Sequence, residues 1–385
     1  MVSPEECVVL DADGLKLSMD ETIQSVVDLN PKAVGLTLTT YTFDMIENIS
    51  QPLAARGFPI FIGGPQATLD PKGTLERLPH VKWVFCGEAE NQMQEIVDRL
   101  ACGEDLRGIA GIMTHDDDDV ERQIVEDFSN IPFPRYEGLP LNAYWCPDAK
   151  ESPMVTVMTA RGCPHRCGFC SSPALLGRKV RGWSVDQVLD HLEYLIRELG
   201  VQEISFVDDV FTINRKRLVQ LCQGIVDRGL VVSWFCNSRA DQVNDLVAKA
   251  SAEAGCHQMY LGFESGDQRI LDDIVNKDAT VEDLIHGATL LKEHGINRSV
   301  GFVIGLPTEN EASVRASLDL AQKVQPERIQ FTRWTPLVAS PLAELVSTRT
   351  HKTFHGREGE QDEIDGWIQW LYDSVEPEPW GAASW

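Results

Sequence analysis

Basic residues are scarce in this sequence. It has 34 lysines and arginines against 59 aspartates and glutamates, which gives a formal net charge of −25. That charge argues against nucleic acid or an anionic membrane as a partner. The sequence also lacks a long apolar run and the basic, apolar start of a signal peptide, so we expect a cytoplasmic protein. The acidity favours a cationic substrate or a basic partner, although solubility alone explains it equally well.

Cysteines are too few for a disulfide scaffold, with ten in 385 residues. Three of them, Cys163, Cys167 and Cys170, stand close together in a C-x3-C-x2-C spacing. The others are scattered, and we expect buried or free thiols in a reducing cytosol. These scattered residues are Cys7, Cys86, Cys102, Cys146, Cys222, Cys236 and Cys256.

The clustered cysteines lie in the run T-A-R-G-C-P-H-R-C-G-F-C, which extends from Thr159 to Cys170. Its glycines and proline discourage helix or strand, so the loop can wrap around a metal with the thiolates pointing inward. Thiolates select zinc, copper(I) or iron–sulfur clusters, and most such sites take four protein ligands. Since the next cysteine is Cys222, a three-thiolate cluster would leave one iron open. A zinc knuckle that adds His165 is the alternative, with a spacing that zinc sites rarely use.

The spacing, with Phe169 directly before the last cysteine, resembles the signature of the radical S-adenosylmethionine (SAM) enzymes. The resemblance implies a [4Fe-4S] cluster on Cys163, Cys167 and Cys170, with SAM bound to the open iron. It also implies that the cluster reductively cleaves SAM to methionine and a 5'-deoxyadenosyl radical. That radical abstracts hydrogen from a substrate, and Phe169 belongs to the predicted cofactor site.

Strands and helices alternate from Met154 onward. The cysteine loop follows the first strand, where parallel barrels carry their catalytic loops. The alternation matches the partial (β/α)6 barrel of the radical SAM fold over residues 153–342. Six strands are predicted, at 155–158, 203–209, 231–236, 258–263, 298–304 and 328–334.

Polar residues after these strands resemble the SAM contacts of the family. The resemblance places Asp208 and Asp209 at the SAM amino group, where carboxylates would make charge-assisted hydrogen bonds. Arg239 resembles the arginine that faces the SAM carboxylate and can grip it with two bonds. Glu264 and Ser265 resemble contacts to the ribose or the methionine part.

Later motifs resemble the adenine side of the family site. The run G-F-V-I-G-L-P-T-E places the backbone of Val303 and Ile304 near adenine, and Thr335 begins a T-P-x-x-x-S-P-L run that closes that side. Lys277, in the pair Asn276-Lys277, matches another recurrent pair of the family. A surface lysine explains Lys277 equally well.

The first 130 residues also alternate, with strands predicted at 7–10, 33–38, 58–65 and 81–88. They resemble the Rossmann-like cobalamin-binding domain that precedes many radical SAM cores, in the turns at Gly63-Gly64 and Gly87-Glu88. The D-x-H-x-x-G motif is absent, and the chain starts at what resembles the second strand of that domain. Because ligands of doubly wound sheets bind at the strand ends, we expect a truncated, vestigial domain and a purified protein free of cobalamin.

Four segments are therefore predicted. The cobalamin-binding-like domain occupies residues 1–130, a proline-rich linker 131–152, the barrel 153–342 and a tryptophan-rich extension 343–385. A hairpin is predicted at 109–125. In the extension we expect a docked helix at 363–372, with a lid or a subunit contact as the alternative role of its indole rings.

The leading functional hypothesis is a radical SAM enzyme that acts on a small polar metabolite. Hydrogen loss next to a hydroxyl would lead to dehydration, dehydrogenation or epimerisation. The acidic charge fits an aminoglycoside-like, cationic substrate, as for the family's diol dehydratases in antibiotic biosynthesis. A cobalamin-dependent radical methyltransferase is the first alternative, and a metal-binding interaction module without catalysis is the second. The electron would come from a flavodoxin or ferredoxin, for which a basic cluster offers a docking surface. That cluster consists of His165, Arg166, Arg178, Lys179 and Arg181.

Overall fold

The computed structural model describes residues 7–348 and 360–375, which belong to two compact units. The first unit contains the chain up to Ala143 together with Ala174–Leu176, and the second contains Tyr144–Pro173 and the chain from Gly177 onward. Within the described ranges, no helix has the length and apolar character needed to cross a membrane. Trp380 and Trp385 of the predicted extension lie outside these ranges.

The first unit is a four-stranded sheet with helices between its strands. The strands pair in the order β1-β2-β3-β4, and the first three are parallel while β4 is antiparallel. Its buried apolar residues face α1 and α2, and the amphipathic spacing of Ile46 and Leu53 predicts this packing. The elements are α1 Met19–Leu29, β1 Val34–Thr37, α2 Phe43–Ala55, β2 Ile60–Gly63, α3 Pro65–Leu69, α4 Pro71–Arg77, β3 Trp83–Phe85, α5 Met93–Cys102 and β4 Ile112–Met113.

Two predictions for this unit are wrong. Residues 7–10 form no strand, and Val8 and Val9 are 67% and 72% exposed, because no neighbouring strand pairs with them among the described residues. The predicted hairpin at 109–125 is also absent. Its first half, β4, pairs with β3, and Gln123 instead forms a bridge with Gly87.

The second unit contains six parallel strands in the order β5-β8-β9-β10-β11-β12, the sequential order of an open, partial barrel. The predicted fold class is therefore confirmed. A short antiparallel pair, β6 and β7, flanks the cysteine loop. The elements from Tyr144 onward are β5 Met154–Val157, β6 Ala160–Arg161, α6 Ser172–Leu176, β7 Arg181–Gly182, α7 Val185–Arg197, β8 Glu203–Phe206, α8 Arg215–Asp227, β9 Ser233–Ser238, α9 Asp245–Glu253, β10 Cys256–Glu264, α10 Val281–Glu293, β11 Asn297–Ile304, α11 Glu311–Val324, β12 Arg328–Arg333, α12 Pro341–Thr348 and α13 Glu360–Ser374.

The barrel helices begin where local sequence supplies their caps. Ser184 and Gln187 form a reciprocal capping box at α7, and Thr280 and Asp283 form one at α10. Each box gives hydrogen-bond acceptors to backbone N–H groups that the first helical turn leaves unpaired. The strand-to-helix connections are thus fixed by a few polar side chains.

Helix α13 covers the free edge of the barrel sheet at β12. The Tyr372 hydroxyl accepts a hydrogen bond from the backbone N–H of Phe331 at 3.0 Å, and the two rings meet edge to face. The guanidinium of Arg315 lies 4.9 Å from the ring centre of Trp370. A docked helix thus protects an edge that could otherwise pair with another strand.

The buried side chain of Arg298 connects β11 to the C-terminal end of α11. Its side chain is 2% exposed and binds both carboxylate oxygens of Glu327, at 2.9 and 2.6 Å. It also donates to the carbonyls of Val324 and Gln325, which end the helix. One guanidinium therefore pairs acceptors that would otherwise be left without hydrogen bonds.

We predict that Arg298→Met lowers the free energy of unfolding by about 1.5–3 kcal/mol, because buried acceptors lose a charged donor. Arg315→Met removes an exposed pair with Glu311 one helical turn away and the contact with the Trp370 ring, which together should cost about 1 kcal/mol. Urea unfolding followed by tryptophan fluorescence compares the two variants. Equal losses of unfolding free energy in the two variants would show that the buried Arg298 stabilises the protein no more than an exposed arginine does.

Candidate functional site

Backbone contacts hold the cysteine loop at its middle. The N–H of Gly168 donates to the carbonyl of Val275 at 2.7 Å, and its carbonyl accepts from the N–H of Leu342 at 2.8 Å. A Cβ at position 168 would lie 2.6 Å from the carbonyl oxygen of Ile274, so only glycine fits there. The segments that follow β10 and β12 thus fix a loop that begins after β5.

The three clustered thiols are partly buried and form no disulfide. Burial raises the pKa of Cys163, Cys167 and Cys170, that of Cys170 to about 11, so a metal must displace their protons. Three sulfurs on one loop fit an iron–sulfur cluster, in which each binds its own iron. No three histidine, cysteine or acidic side chains of the described residues could share a single metal ion.

Asp208 differs from its predicted role at the SAM amino group, since Thr159 occupies both of its carboxylate oxygens. Oδ1 accepts from the Thr159 N–H at 2.5 Å, and Oδ2 accepts from the Thr159 hydroxyl at 2.7 Å. Arg217 donates to the same hydroxyl at 3.0 Å and to the Thr159 carbonyl at 3.3 Å. Asp208 and Arg217 therefore clamp the residue at which the cysteine loop begins.

Asp209 lies beside the thiols. Its Oδ1 accepts a hydrogen bond from the Ser172 hydroxyl, and its Oδ2 is buried without a partner among the described residues. Together with burial, its charge raises the pKa of Cys163 and Cys170. A buried carboxylate oxygen with no donor is the acceptor that the ammonium group of SAM would need.

Arg239 joins three segments around Cys167. Its Nε and Nη2 bind the two oxygens of Asp241 at 3.0 and 3.2 Å, and Nη2 also donates to the carbonyl of Lys277 at 2.5 Å. Its Nη1 lies 3.6 Å from the sulfur of Cys167. Arg239 is thus next to the predicted cluster, but its fork is closed on Asp241 instead of being open to a SAM carboxylate.

Glu264 ends β10 with its carboxylate paired to Lys277. Oε1 lies 3.0 Å from Nζ, and Lys277 is 2% exposed. The surface alternative for Lys277 is therefore wrong. The neighbouring Ser265 is fully buried, and its hydroxyl accepts from the N–H of Asp267 at 3.2 Å.

The predicted adenine-side residues differ in accessibility. Thr335 is exposed and Val303 is half-buried, so both can meet a ligand, whereas the Ile304 side chain is fully buried. The Ile304 carbonyl accepts from the N–H of Trp334 at 2.8 Å. Phe169 is half-buried and packs on the apolar cluster that contains Trp334. Ile304 and Phe169 therefore contribute to the apolar packing behind the predicted adenine side.

Sequence reasoning missed Thr159 and Arg217. In the sequence, Thr159 marks only the start of the cysteine run, and Arg217 is one of three neighbouring basic residues in α8. A buried arginine that binds a loop backbone leaves no pattern in the sequence. The adjacent acids Asp208 and Asp209 did carry a signal, because they stand just after the end of a barrel strand.

In the first unit, the carboxyl ends of β2 and β3 carry the predicted glycine turns. A Cβ at Gly63 would meet nothing within 4 Å, whereas one at Gly87 would lie 2.1 Å from the carbonyl oxygen of Gln123. Gly87 has a φ of +111°, and the Glu88 carboxylate accepts from the N–H of Val125 at 2.8 Å. Gly87 therefore allows a tight turn, whereas Gly63 leaves open space at the edge where doubly wound sheets bind ligands.

Sequence comparison gives the chain two family matches. The radical SAM superfamily matches residues 157–321, and the B12 binding domain matches residues 5–97. An uncharacterized methyltransferase of Pyrococcus horikoshii is 35% identical over 351 residues, which cover 89% of this chain and 75% of that protein. An anaerobic magnesium-protoporphyrin IX monomethyl ester cyclase of Rubrivivax gelatinosus is 26% identical, over 89% of this chain and 63% of that protein.

Two solved structures share the fold. The radical SAM methyltransferase TsrM from Kitasatospora setae, with cobalamin and a [4Fe-4S] cluster bound, has a TM-score of 0.72 at 18% identity and covers 88% of this chain and 72% of its own. The cobalamin-dependent radical enzyme OxsB has a TM-score of 0.68 at 19% identity, with 90% and 55% covered. At these identities the similarity concerns the fold alone.

These findings correct two expectations. The relatives named above are methyltransferases and a cyclase, which favours methyl transfer over the dehydratase reading. The match to the B12 binding domain counts against a cobalamin-free protein. From the two family matches and the 35% identity across most of both chains, we conclude that this protein belongs to the radical SAM superfamily and has an N-terminal B12-binding domain.

Proposed function

We propose that this protein is a cobalamin-dependent radical SAM methyltransferase that acts on a small molecule. The observation that carries the proposal is the presence, in one chain, of a B12-binding domain and a three-cysteine loop at the carboxyl end of a barrel strand. The methyltransferase name of the relative at 35% identity supports it further. The cyclase relative is more distant, at 26% identity, so ring closure is the weaker candidate.

The substrate is not named, because related methyltransferases differ in theirs. One relative, from Streptomyces wedmorensis, is a cytidylyl-2-hydroxyethylphosphonate methyltransferase at 24% identity. TsrM has been solved with its tryptophan substrate. A phosphonate nucleotide and an amino acid have little in common, so the names support methyl transfer to a small molecule and no finer class.

In the barrel, three cysteines would hold the [4Fe-4S] cluster, which supplies the electron that cleaves SAM. Asp208 and Arg217 keep Thr159, and with it the start of the loop, in place. The oxygen of Asp209 that has no partner among the described residues would accept a hydrogen bond from the SAM ammonium. Thr335 and the backbone at Val303 are accessible for contacts to the adenosine part.

In the first unit, cobalamin would lie at the carboxyl ends of β1, β2 and β3 and would supply a carrier for the methyl group. The open space at Gly63 allows a large ligand to approach the backbone. Thr40 donates to Gln66 at 2.8 Å and so joins the turns that follow β1 and β2. The two turns are thus linked by a side-chain hydrogen bond at the edge where cobalamin would bind.

The reducing electron would come from a flavodoxin or ferredoxin. Exposed Arg166 and Arg178 next to the cysteine loop carry positive charge in a chain whose net charge is −25. Arg178 also donates to the His165 carbonyl at 3.2 Å, which holds the loop from outside. Opposite charge would steer an acidic electron carrier towards this part of the surface.

We predict that anaerobic reconstitution yields about four irons and four sulfides per chain. Cys163→Ala, Cys167→Ala and Cys170→Ala should each abolish formation of 5'-deoxyadenosine from SAM and dithionite, measured by liquid chromatography. Cys102→Ala, at an exposed cysteine outside the loop, is the matched control and should leave it unchanged. Full activity in any of the three loop variants would refute the assignment of the cluster ligands.

We also predict that Gly63→Leu prevents cobalamin binding without unfolding the protein. Nothing lies within 4 Å of the added Cβ, so the leucine side chain would occupy only the space that cobalamin would need. Gly366→Leu, at another glycine with no neighbour within 4 Å, is the control. The measurement is cobalamin retained after gel filtration, read from its absorption spectrum, together with the melting temperature.

The wild type and Gly366→Leu should retain about one cobalamin per chain. Retention by Gly63→Leu at the same level would contradict the placement of the site. If the wild type retains no cobalamin, the first unit would be a vestigial domain, as the sequence alone predicts.

A further inference from the structure

A cleft of about 420 Å³ opens at the amino ends of β2 and β3 in the first unit. That volume is within the range of small-molecule sites. Because β4 runs antiparallel to β3, the residues that follow β4 reach the same edge of the sheet. All the lining residues lie between positions 54 and 116, within the first unit. The cleft is therefore at the opposite edge of the sheet from Gly63 and from the space where cobalamin would lie.

The first cation at the cleft is Lys82, which directly precedes β3. Its Nζ lies 4.1 Å from the ring centre of Trp83, a side chain that is 1% exposed. The fixed indole ring holds the ammonium at the rim of the cleft. Oδ2 of Asp105 is 3.8 Å from Nζ, which is too far for a hydrogen bond. The ammonium thus makes no hydrogen bond within the part of the chain that the structure describes.

The second cation is Arg107, which lies beside the same carboxylate. Its Nε is 3.9 Å from Oδ1 of Asp105, so Lys82 and Arg107 flank one carboxylate group. Oδ1 already accepts hydrogen bonds from the N–H of Arg107 at 2.9 Å and from Nε1 of Trp83 at 3.3 Å. These two donors offset part of the negative charge of Asp105. One anionic group at this rim can therefore contact both cations.

The other acid at the cleft, Asp116, is held only weakly. Its Oδ2 is 3.1 Å from Nη1 of Arg107, and the two side chains are 72% and 61% exposed. Ion pairs this exposed contribute little to stability. Three further aspartates follow Asp116 directly in the sequence, and their charges repel its own. An anion that carries more charge than a carboxylate can therefore replace Asp116 at Arg107.

Two histidines add further polar groups to the lining. Nε2 of His115 is 2.9 Å from the carbonyl of Val81, which can only accept, so Nδ1 is the nitrogen left for a ligand. Nε2 of His80 is 2.7 Å from the hydroxyl of the buried Ser50. Two lysine or arginine side chains and two acidic ones line the cleft, whereas the whole chain has 34 and 59. The cleft is therefore more favourable to an anion than the average surface of this acidic chain.

Part of the lining is apolar. Phe58 and Pro59 are half-buried and Pro79 is exposed, so each leaves apolar surface at the cleft. Covering such surface is favourable for the organic part of a ligand. A ligand that uses the whole cleft thus combines an anionic group with an apolar body.

We propose that this cleft binds a small phosphate monoester with an apolar organic part. The phosphoryl group contacts Lys82 and Arg107, and the organic part covers Phe58 and Pro59. At neutral pH a phosphate monoester carries about two negative charges on its terminal oxygens, so it can engage both cations at once. A carboxylate carries a single charge and would gain nothing over Asp116. The proposal depends neither on cobalamin nor on methyl transfer.

The probe is phenyl phosphate, with inorganic phosphate and phenol as its two halves. Isothermal titration calorimetry of the purified full chain should show saturable binding of phenyl phosphate, tighter than that of either half. In the double variant Lys82→Met/Arg107→Met the affinity should fall about tenfold or more, because two charge-assisted contacts are lost. Lys72→Met, the control, removes an exposed lysine that lies outside the cleft and 3.9 Å from Asp118, and it should bind like the wild type.

No saturable binding by the wild type, or equal affinity in the double variant, would overturn the proposal. Phenol or inorganic phosphate that binds as tightly as phenyl phosphate would also overturn it, because phenol needs no cation and inorganic phosphate needs no apolar surface. Melting temperatures show whether the variants fold. If the double variant does not fold, Arg107→Met alone replaces it, and an unchanged affinity would again contradict the site. Gly63→Leu should bind phenyl phosphate like the wild type, which separates this result from the cobalamin test.

Discussion

The close approach of Gly168 to the backbone at Ile274 and Val275 is the constraint on which the barrel site depends. It brings the cysteine loop, which begins after β5, against the segments that follow β10 and β12. At the start of the same loop, Asp208 and Arg217 hold Thr159. The three thiols are thus presented by a backbone fixed at two points, which limits how far they move when a cluster binds.

Charges of both signs surround this loop. Arg239 Nη1 lies 3.6 Å from the sulfur of Cys167, and burial together with the charge of Asp209 raises the pKa of Cys163 and Cys170. Arg239 and Lys277 each have a carboxylate partner, whereas one buried oxygen of Asp209 has no partner among the described residues. Such a site is complementary to a zwitterion, which is the form of the amino-acid part of SAM at neutral pH.

Much of the fold could be predicted from the sequence because alternating strands and helices leave a strong pattern, and the cysteine spacing is specific. The predictions were wrong where the local structure depends on pairing with another part of the chain. Residues 7–10 have the composition of a strand but lack a neighbour to pair with. The motif located Asp208 and Asp209 at a strand end, yet only the structure shows which one faces the thiols. The burial of Lys277 could not be predicted, since a lysine is usually exposed.

The central claim is that this radical SAM enzyme transfers the methyl group of SAM by way of cobalamin. A substrate-free test is to incubate reconstituted protein anaerobically with SAM and fully reduced cobalamin, and to measure S-adenosylhomocysteine. Methyl transfer predicts about one S-adenosylhomocysteine per bound cobalamin, and none when cobalamin is omitted. Formation of 5'-deoxyadenosine and methionine alone, whether or not cobalamin is present, would contradict the account.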